Sequence, residues 1–274
     1  MKAPIRLPGP AFLIFVIFFF IIKPNVSQSA EHNNLKTPQP YLLELFKHHD
    51  LVLLGTTHRK QAVLKFINEI LPHLKDTGVT QVGLEIPTDQ QGKIDTYMKT
   101  GTGLMEVYVH PQIDCPEYRD LLKTLFGLDH VKRPSVVALD LPRPMYVQEI
   151  SRDEWMARTI ADRVTQNPNT KMLVVVGNFH VLKVKEWQDH VPNKTGSIRE
   201  YLNSMVPSLK VFSIGQLIDE DPRACDFTKR FGSIKGAVAM DCAEGFSDWK
   251  IGVTSAIAIK DTEPCQLFDG LIVY

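Results

Sequence analysis

The stretch Met172–His180, MLVVVGNFH, decides the fold because an apolar run ends in a Gly-x-x-His motif. The same pattern occurs earlier, where Leu51–Leu54 leads into Gly55–His58, with the sequence GTTH. Short apolar runs of this kind are typical of buried parallel strands. In an open α/β sheet, ligands bind beyond the carboxyl ends of the strands. The repeated motif therefore predicts that two strands bring His58 and His180 to one edge of a sheet.

Two further apolar runs end on a carboxylate. Val82–Pro87, VGLEIP, carries Glu85, and Val136–Asp140, VVALD, ends on Asp140. Histidine nitrogens and carboxylate oxygens are the ligands of many catalytic zinc sites and also form general acid–base pairs. Each residue taken singly also fits a purely structural role, as a loop histidine or a helix cap. Their matched positions predict a site.

The residues of this predicted site have three possible roles. As catalytic residues or as metal ligands, the predicted set is His58, Glu85 and His180. As cofactor-binding residues, the set also includes Asp140.

The N-terminus resembles a signal peptide. Lys2 and Arg6 precede the apolar run Ala11–Ile22, which has 12 residues and is short for a membrane-spanning helix. Small residues after this run permit cleavage near Ser29 or Ala30. We therefore expect residues 1–29 to be a signal peptide or an N-terminal anchor, with possible membrane association through it. The expected location is periplasmic or associated with the cell envelope.

Composition bounds the partners and the redox state. Lys plus Arg equals Asp plus Glu, at 31 each, so no net charge draws the chain to nucleic acid. Four cysteines in an exported protein permit disulfides. The last three, Cys225, Cys242 and Cys265, are close in sequence, and we expect one bridge among them.

Helix signals separate the predicted strands. Apolar residues from Val63 to Leu74 recur at helical spacing, with Pro72 predicted to kink or end the helix and Gly78 to stop it. Capping-box patterns begin at Thr88, Ser151 and Ser197.

Strand and helix alternate from Leu51 to Ile214, which is typical of βαβ units. The predicted fold class is α/β: a central, largely parallel sheet flanked by helices, with added edge strands from the C-terminal tail. Those tail strands are predicted at Gly236–Met240, Gly252–Ile259 and Leu271–Tyr274. Residues 30–40 read as a tether, and residues 41–274 as one domain.

The ordered motifs resemble a known superfamily. They are Leu-Gly-x-x-His, Gly-Leu-Glu-Ile-Pro, Arg152-Asp153-x-x-Met156-Ala157, and Val-Val-Gly-Asn-Phe-His. Together they look like the ChaN-like haem-binding branch of the Tiki/TraB/erythromycin-esterase superfamily. Arg152 and Asp153 also fit a purely structural role, because an acidic residue near a helix N-terminus interacts favourably with the helix dipole.

The resemblance implies an α/β fold with a pocket around both Gly-x-x-His motifs and the intervening Glu85. Members of the superfamily differ in function: ChaN-like members bind haem and are linked to iron acquisition, Tiki-like members are metal-dependent proteases, and erythromycin esterases hydrolyse through a comparable pocket. The resemblance favours a ChaN-like protein that binds haem or another metal-containing small ligand. The alternative is a metal-dependent hydrolase acting on a peptide or an ester.

Chemistry separates these readings. For hydrolysis, the His/Glu/His set would bind a divalent transition metal that activates water, or a histidine oriented by Glu85 would act as general base without a metal. For haem, an axial His or Tyr ligand within an apolar enclosure is needed. The middle segment offers candidate ligands: Tyr97, Tyr108, Tyr118, Tyr146 and His110. A third possibility is a scaffold that keeps the pocket as a relic.

Overall fold

A computed structural model describes residues 35–145, 150–185, 187, 195–218, 236–242 and 264–274. Seven strands form one sheet in the order β3-β2-β4-β1-β5-β7-β6. The strands are β1 Leu51–Thr56, β2 Gln81–Pro87, β3 Ser135–Asp140, β4 Met172–Gly177, β5 Val211–Leu217, β6 Val238–Asp241 and β7 Gly270–Val273. Every neighbouring pair is parallel except the antiparallel pair of β6 and β7. The predicted fold class is confirmed.

Helices cover both faces of the sheet. They are α1 Pro38–Leu45, α2 Gln61–Ile70, α3 Gln91–Thr100, α4 Pro116–Gly127, α5 Arg152–Gln166, α6 Ile198–Met205 and α7 Pro264–Leu267. Strand residues alternate between two cores: Val52 and Leu54 pack with the helices α1 to α4, whereas Leu51 and Leu53 pack with α5 and α6. Burial on both faces explains why these strands are continuous apolar runs.

The helix after β1 behaves as its proline predicts. The α-helix ends at Ile70 and continues as a 3₁₀-helix, Leu71–Thr77, with Pro72 in its first turn. Gly78 follows in the left-handed region at φ 84° and stops the helix. The early end of the α-helix at Pro72 and the stop at Gly78 are both confirmed.

The three predicted capping boxes have different outcomes. Ser197 and Glu200 form the full box, and Ser151 accepts a hydrogen bond from the backbone N–H of Glu154. The box at Thr88 is wrong: a 3₁₀ turn, Thr88–Gln90, precedes the helix, and the Thr88 hydroxyl accepts a bond from Trp155 Nε1 instead. A tertiary partner has displaced the local cap.

Gln91 closes the free edge of β3, the outermost described strand at that end of the sheet. Its Nε2 donates to Val136 O at 2.9 Å, and its Oε1 accepts from Ala138 N at 2.7 Å. The side-chain amide thus pairs with the strand as a neighbouring strand would. It also removes an unpaired edge.

We predict that Gln91→Ala lowers the free energy of unfolding by about 1–3 kcal/mol, because two backbone groups lose their partner. Urea denaturation followed by circular dichroism measures this change. Gln112→Ala is the matched control, since that side chain is exposed, and its effect should stay within about 0.5 kcal/mol. Equal effects of both variants would contradict the edge-pairing role.

The tail completes the sheet as expected. β7 lies parallel to β5, and β6 lies antiparallel to β7, so two of the three predicted edge strands are confirmed. The third, predicted at 252–259, lies outside the described residues. Cys242 and Cys265 are joined by a disulfide, which confirms the expectation of a bridge among the last three cysteines.

Within the described residues, no helix is both long and apolar enough to cross a membrane. The predicted leader, residues 1–29, lies outside those residues, as do residues 30–34 of the predicted tether. The described remainder, residues 35–40, includes the start of α1.

Candidate functional site

Strand register brings the predicted site residues to one edge of the sheet. The ends of β1 and β4 are paired, with Thr56 opposite Gly177, so the two Gly-x-x-His motifs leave the sheet side by side. On the other side of β4, β2 carries Glu85, and β3 ends on Asp140. The order β3-β2-β4-β1 therefore gathers four side chains that are far apart in sequence.

Glu85 is buried and accepts hydrogen bonds on both carboxylate oxygens. Arg152 Nη2 donates to Oε1 at 2.6 Å, and the Gly177 backbone N–H donates to Oε2 at 2.7 Å. Burial on its own would raise the pKa of Glu85, but His180, Arg152 and the Gly177 N–H outweigh it and hold the pKa well below its ordinary value. Glu85 is therefore a fixed anion, and a carboxylate with such a low pKa is a poor proton acceptor.

His180 is buried between two carboxylates. Its Nδ1 is bonded to Asp153 Oδ1, and its Nε2 lies 3.5 Å from Glu85 Oε1. Burial acts to lower the pKa of His180, but Asp153 and Glu85 overcome it and raise the pKa to about 9. At neutral pH this side chain is a cation, and both of its nitrogens carry protons.

Arg152 bridges Glu85 and Asp140. Besides its bond to Glu85, its Nε and Nη2 each donate to Asp140 at 2.8 Å. Asp140 is fully buried and also accepts from the Leu141 N–H at 2.8 Å. Asp140 thus lies beneath the site as an ion-pair partner of Arg152.

Lys185 ends this chain of charges on the other side. Its Nζ bonds to Asp153 Oδ2 and lies 4.0 Å from the ring centroid of Phe179. These buried or partly buried charges alternate in sign from one spatial neighbour to the next, in the order Lys185, Asp153, His180, Glu85, Arg152, Asp140. Alternation supplies each buried charge with an opposite partner, as burial requires.

The start of α5 places Arg152 and Asp153 on opposite sides of the site. The sequence also fits a purely structural role for this pair, and Met156 and Ala157 do face the core as helical spacing indicates. The two charged residues instead hold Glu85, Asp140 and His180. Lys185 was missed altogether, because a single lysine beyond a loop carries no sequence signal.

His58 is the exposed member of the set. A Cβ atom on Gly177 would lie 2.8 Å from His58 Cε1, 3.2 Å from His58 Nε2 and 3.6 Å from Glu85 Oε2. The missing side chain of Gly177 therefore makes room for the imidazole beside Glu85. Close packing against His58 thus requires glycine at position 177, which explains the glycine of the second Gly-x-x-His motif.

The pKa of His58 is lowered from its ordinary value of 6.5. Desolvation of the ring by its neighbours is the largest cause; Glu85 opposes it, while the cations His180 and Arg152, and then His110, add to it. At neutral pH the imidazole is uncharged and can accept a proton. The next residue, Arg59, has φ 59°, a left-handed conformation that is rare outside glycine and that occurs at functional turns.

Asn178 stabilises the edge of the sheet at which the parallel strands end, which we call the rim. Its backbone N–H donates to Thr56 O at 2.9 Å, its Nδ2 donates to Gln216 O at 2.7 Å, and its Oδ1 accepts from Gln216 N at 2.9 Å. These bonds tie the turn after β4 to the ends of β1 and β5. A Cβ on Gly55 would overlap the Asn178 side chain, which explains the first glycine motif.

The candidate haem ligands are spread over different environments. Tyr97 and Tyr118 are buried, Tyr108 and His110 are half-buried near the rim, and Tyr146 lies outside the described residues. Burial, then Glu85 and Asp140, raise the pKa of Tyr118 well above its ordinary value, so the phenol stays protonated. Its hydroxyl makes no hydrogen bond within the described part of the chain.

The donor set does not fit a metal centre. Among the described residues, no three His, Cys, Asp or Glu side chains are placed to hold one ion. Glu85 already accepts from Arg152 and Gly177, and His180 carries the proton that a ligand nitrogen must lose. The metal and haem roles of these residues remain predictions.

Comparison with solved structures identifies the fold. An erythromycin esterase in an open conformation aligns with a TM-score of 0.61 and 10% identity, over 85% of this chain and 92% of that chain. The chain shares its fold with erythromycin esterase. This erythromycin-esterase fold also matches a succinoglycan biosynthesis protein, with a TM-score of 0.61 and 12% identity, over 90% of this chain and 95% of that one.

Other similarities are weaker. A protein from Bacillus cereus aligns with a TM-score of 0.55 and 15% identity, over 91% of this chain and 92% of that one. ChaN of Campylobacter jejuni, in a structure of cofacial haem binding, aligns with a TM-score of only 0.49 and 12% identity, over 87% of this chain and 92% of that one. No family model and no curated protein matches the sequence. At these identities the similarity establishes the fold alone.

Proposed function

We propose that this protein hydrolyses carboxylic esters, with His58 as the general base. The observation behind this proposal is that the three central residues, His58, Glu85 and His180, differ in charge and in exposure. Glu85 is a fixed anion, His180 is a buried cation, and only His58 combines solvent exposure with a neutral imidazole at pH 7. A catalytic base must be unprotonated at the operating pH and able to take up a proton, and of these three residues only His58 meets both conditions.

Arg152 stabilises the negative charge that develops in the proposed reaction. Its Nε and Nη2 are bonded to carboxylates, while its Nη1 donates no hydrogen bond to the described residues. Since the side chain is partly exposed, Nη1 is available to an oxygen of the substrate. As water adds to the ester carbon and gives its proton to His58, negative charge develops on the carbonyl oxygen, where a fixed guanidinium stabilises it. When this tetrahedral intermediate collapses, the carbonyl re-forms, the C–O bond to the alcohol breaks, and the His58 imidazolium gives its proton to the departing alcohol oxygen.

Glu85 and His180 take no part in proton transfer in this proposal; they position and charge-balance the residues that do the chemistry. Glu85 fixes Arg152 from below and, beside His58, favours the imidazolium that forms when the base takes a proton. His180 keeps Glu85 ionised. No step of this proposal requires a metal or a haem group.

The test combines activity with ligand binding. The protein from residue 30 onward is incubated with p-nitrophenyl acetate, p-nitrophenyl butyrate and the macrolide lactone erythromycin, with and without a chelator, and is separately titrated with haem. The lactone is included because erythromycin esterase shares the fold. Ester hydrolysis that survives chelation is expected.

Two other outcomes would replace the proposal. Chelator-sensitive hydrolysis with stoichiometric metal would favour the metal-dependent hydrolase, and saturable haem binding with a Soret shift and no turnover would favour the ChaN-like haem protein. If the protein shows neither chelator-resistant hydrolysis, nor chelator-sensitive hydrolysis, nor haem binding, the remaining interpretation is a scaffold that keeps the pocket as a relic.

The pH dependence gives a sharper signature. We predict that kcat/KM rises with pH through an apparent pKa below 6.5, as His58 loses its proton, and falls near pH 9, as His180 loses its charge. The second fall follows because neutral His180 no longer balances Glu85 and Asp153. Rates measured from pH 4.5 to 10 in constant ionic strength test this. A rate that falls as pH rises from 5 to 7 would contradict His58 as the base.

We also propose export to the cell envelope, from the leader at residues 1–29. N-terminal sequencing of the protein in an envelope fraction should give a start near Ala30. An intact Met1 in that fraction would show an uncleaved anchor.

A further inference from the structure

A second polar feature lies at the same edge of the sheet, over the ends of β2 and β3. The Arg143 guanidinium carbon lies 4.5 Å from the centroid of the Tyr108 ring. Arg143 follows Asp140 by three residues, and the Tyr108 N–H donates at 3.0 Å to Oε1 of Gln90, just beyond β2. The stacked pair therefore lies at the rim where Arg152 holds Glu85 and Asp140.

The segment that carries Tyr108 is held firmly. Arg119, which is buried, binds both oxygens of Asp114 at 2.7 and 2.9 Å. Its Nη1 donates to Leu104 O at 2.9 Å and to Val107 O at 3.4 Å. One guanidinium thus fixes both ends of the stretch 104–114. Tyr108 is consequently a preorganised surface rather than part of a loose loop.

This stretch also reaches the neighbourhood of the proposed base. His110, two residues beyond Tyr108, is close enough to His58 to influence its titration. The segment therefore lies near the ends of β2 and β3, at the edge of the sheet where the parallel neighbours β4 and β1 also end.

The charge of Arg143 is not neutralised by the described residues. The buried network beneath it balances itself, with the cations Lys185, His180 and Arg152 set against three carboxylates. Arg143 is exposed and makes no ion pair within the described ranges.

A guanidinium stacked on an aromatic ring still has donors at its edge. The flat face is occupied by the ring, while the N–H groups in the plane point outward and match two oxygens of a carboxylate or a phosphate. Stacking also restricts the side chain, which lowers the entropy lost when a ligand binds.

We propose that Tyr108 and Arg143 form an anion-binding subsite for the substrate. The ester substrate would then carry a carboxylate or a phosphate group beside the scissile bond. This proposal deepens the proposed function and rests on it for the reaction, although the binding step can be measured by itself. Tyr108 and Arg143 are specificity-determining residues in this scheme. They take no part in proton transfer.

The kinetic test compares two esters of similar length, p-nitrophenyl butyrate and mono-p-nitrophenyl glutarate, of which only the second has a free carboxylate. Arg143→Gln should lower kcat/KM for the glutarate ester by about 10- to 100-fold, the usual effect of losing a hydrogen bond to a charged group. The rate with the butyrate ester should stay within twofold. Arg143→Lys should recover part of the loss.

The stacking contribution has its own pair of variants. Tyr108→Phe keeps the ring and should behave as wild type, whereas Tyr108→Ala removes it and should weaken selection for the glutarate ester. Equal loss in both would contradict stacking as the basis of the subsite.

Calorimetry with glutarate and with inorganic phosphate separates the two anion classes and is independent of turnover. Binding to wild type that is lost in Arg143→Gln, without any ester hydrolysis, would retain the subsite and reject the proposed function. Hydrolysis of both esters with the same selectivity in Arg143→Gln would reject the subsite and retain the hydrolase. Neither binding nor hydrolysis would overturn both.

Discussion

Glu85→Ala should lower the free energy of unfolding by about 3–5 kcal/mol, the usual cost of removing one partner from a buried ion pair. Three groups lose an acceptor or counter-charge: Arg152, His180 and the Gly177 N–H. Chemical denaturation at pH 6 measures the change. Glu69→Ala is the matched control, because that carboxylate is exposed and lies 3.9 Å from Lys65 in a surface pair worth about 0.2–1 kcal/mol at most.

The effect of Glu85 should also depend on pH. Because its pKa is lowered from 4.5, its contribution to stability is present above about pH 4.5 and is lost as the pH falls. His180 behaves oppositely: with its pKa raised from 6.5 to about 9, its contribution is complete below 6.5 and is lost as the pH rises through 9. Wild type should therefore lose stability in both directions from pH 5–6.

Glu85→Ala should remove much of the loss of stability at acid pH. It should also reduce the loss of stability at alkaline pH, because His180 then has one carboxylate partner fewer. A variant within 1 kcal/mol of wild type at every pH would contradict the ion-pair chain as the support of this rim.

His58→Ala should lower kcat/KM for ester hydrolysis by about 10²- to 10⁴-fold, the usual contribution of a general base. The melting temperature should change little, since the imidazole is exposed. The acid limb of the pH profile should disappear with it, because the titrating group is gone.

His73→Ala is the control for this experiment. His73 is likewise exposed, but it lies in the 3₁₀-helix before β2, at the opposite end of that strand. Its activity and pH profile should match wild type. Full activity in His58→Ala would refute the proposed base, whereas loss of activity together with folding would show a structural role for this side chain.

Much of the sheet could be predicted from the sequence because its strands are buried on both faces. Leu51–Thr56 and Met172–Gly177 need apolar residues at every position, which is a signal that a single sequence displays. Pro72 and Gly78 mark the end of α2 for equally local reasons, a missing N–H and a left-handed backbone.

The cap at Thr88 shows where local reasoning stops. The pattern satisfies the rule for a capping box, but Trp155, 67 residues away, takes the hydroxyl, and Gln91 turns to the edge of β3. Competing partners of similar strength decide such cases, and they are brought near only by the folded chain.

By itself, the sequence determined the α/β class and the positions of His58, Glu85 and His180 at strand ends, because chain direction sends every parallel strand end to one edge. Only the tertiary structure decided the chemistry of these residues. Arg152, Asp153 and Lys185 approach from α5 and the loop after β4, and their charges make Glu85 a fixed anion and His180 a cation. Coulomb energies depend on distances and burial across the fold, which residue order does not encode locally.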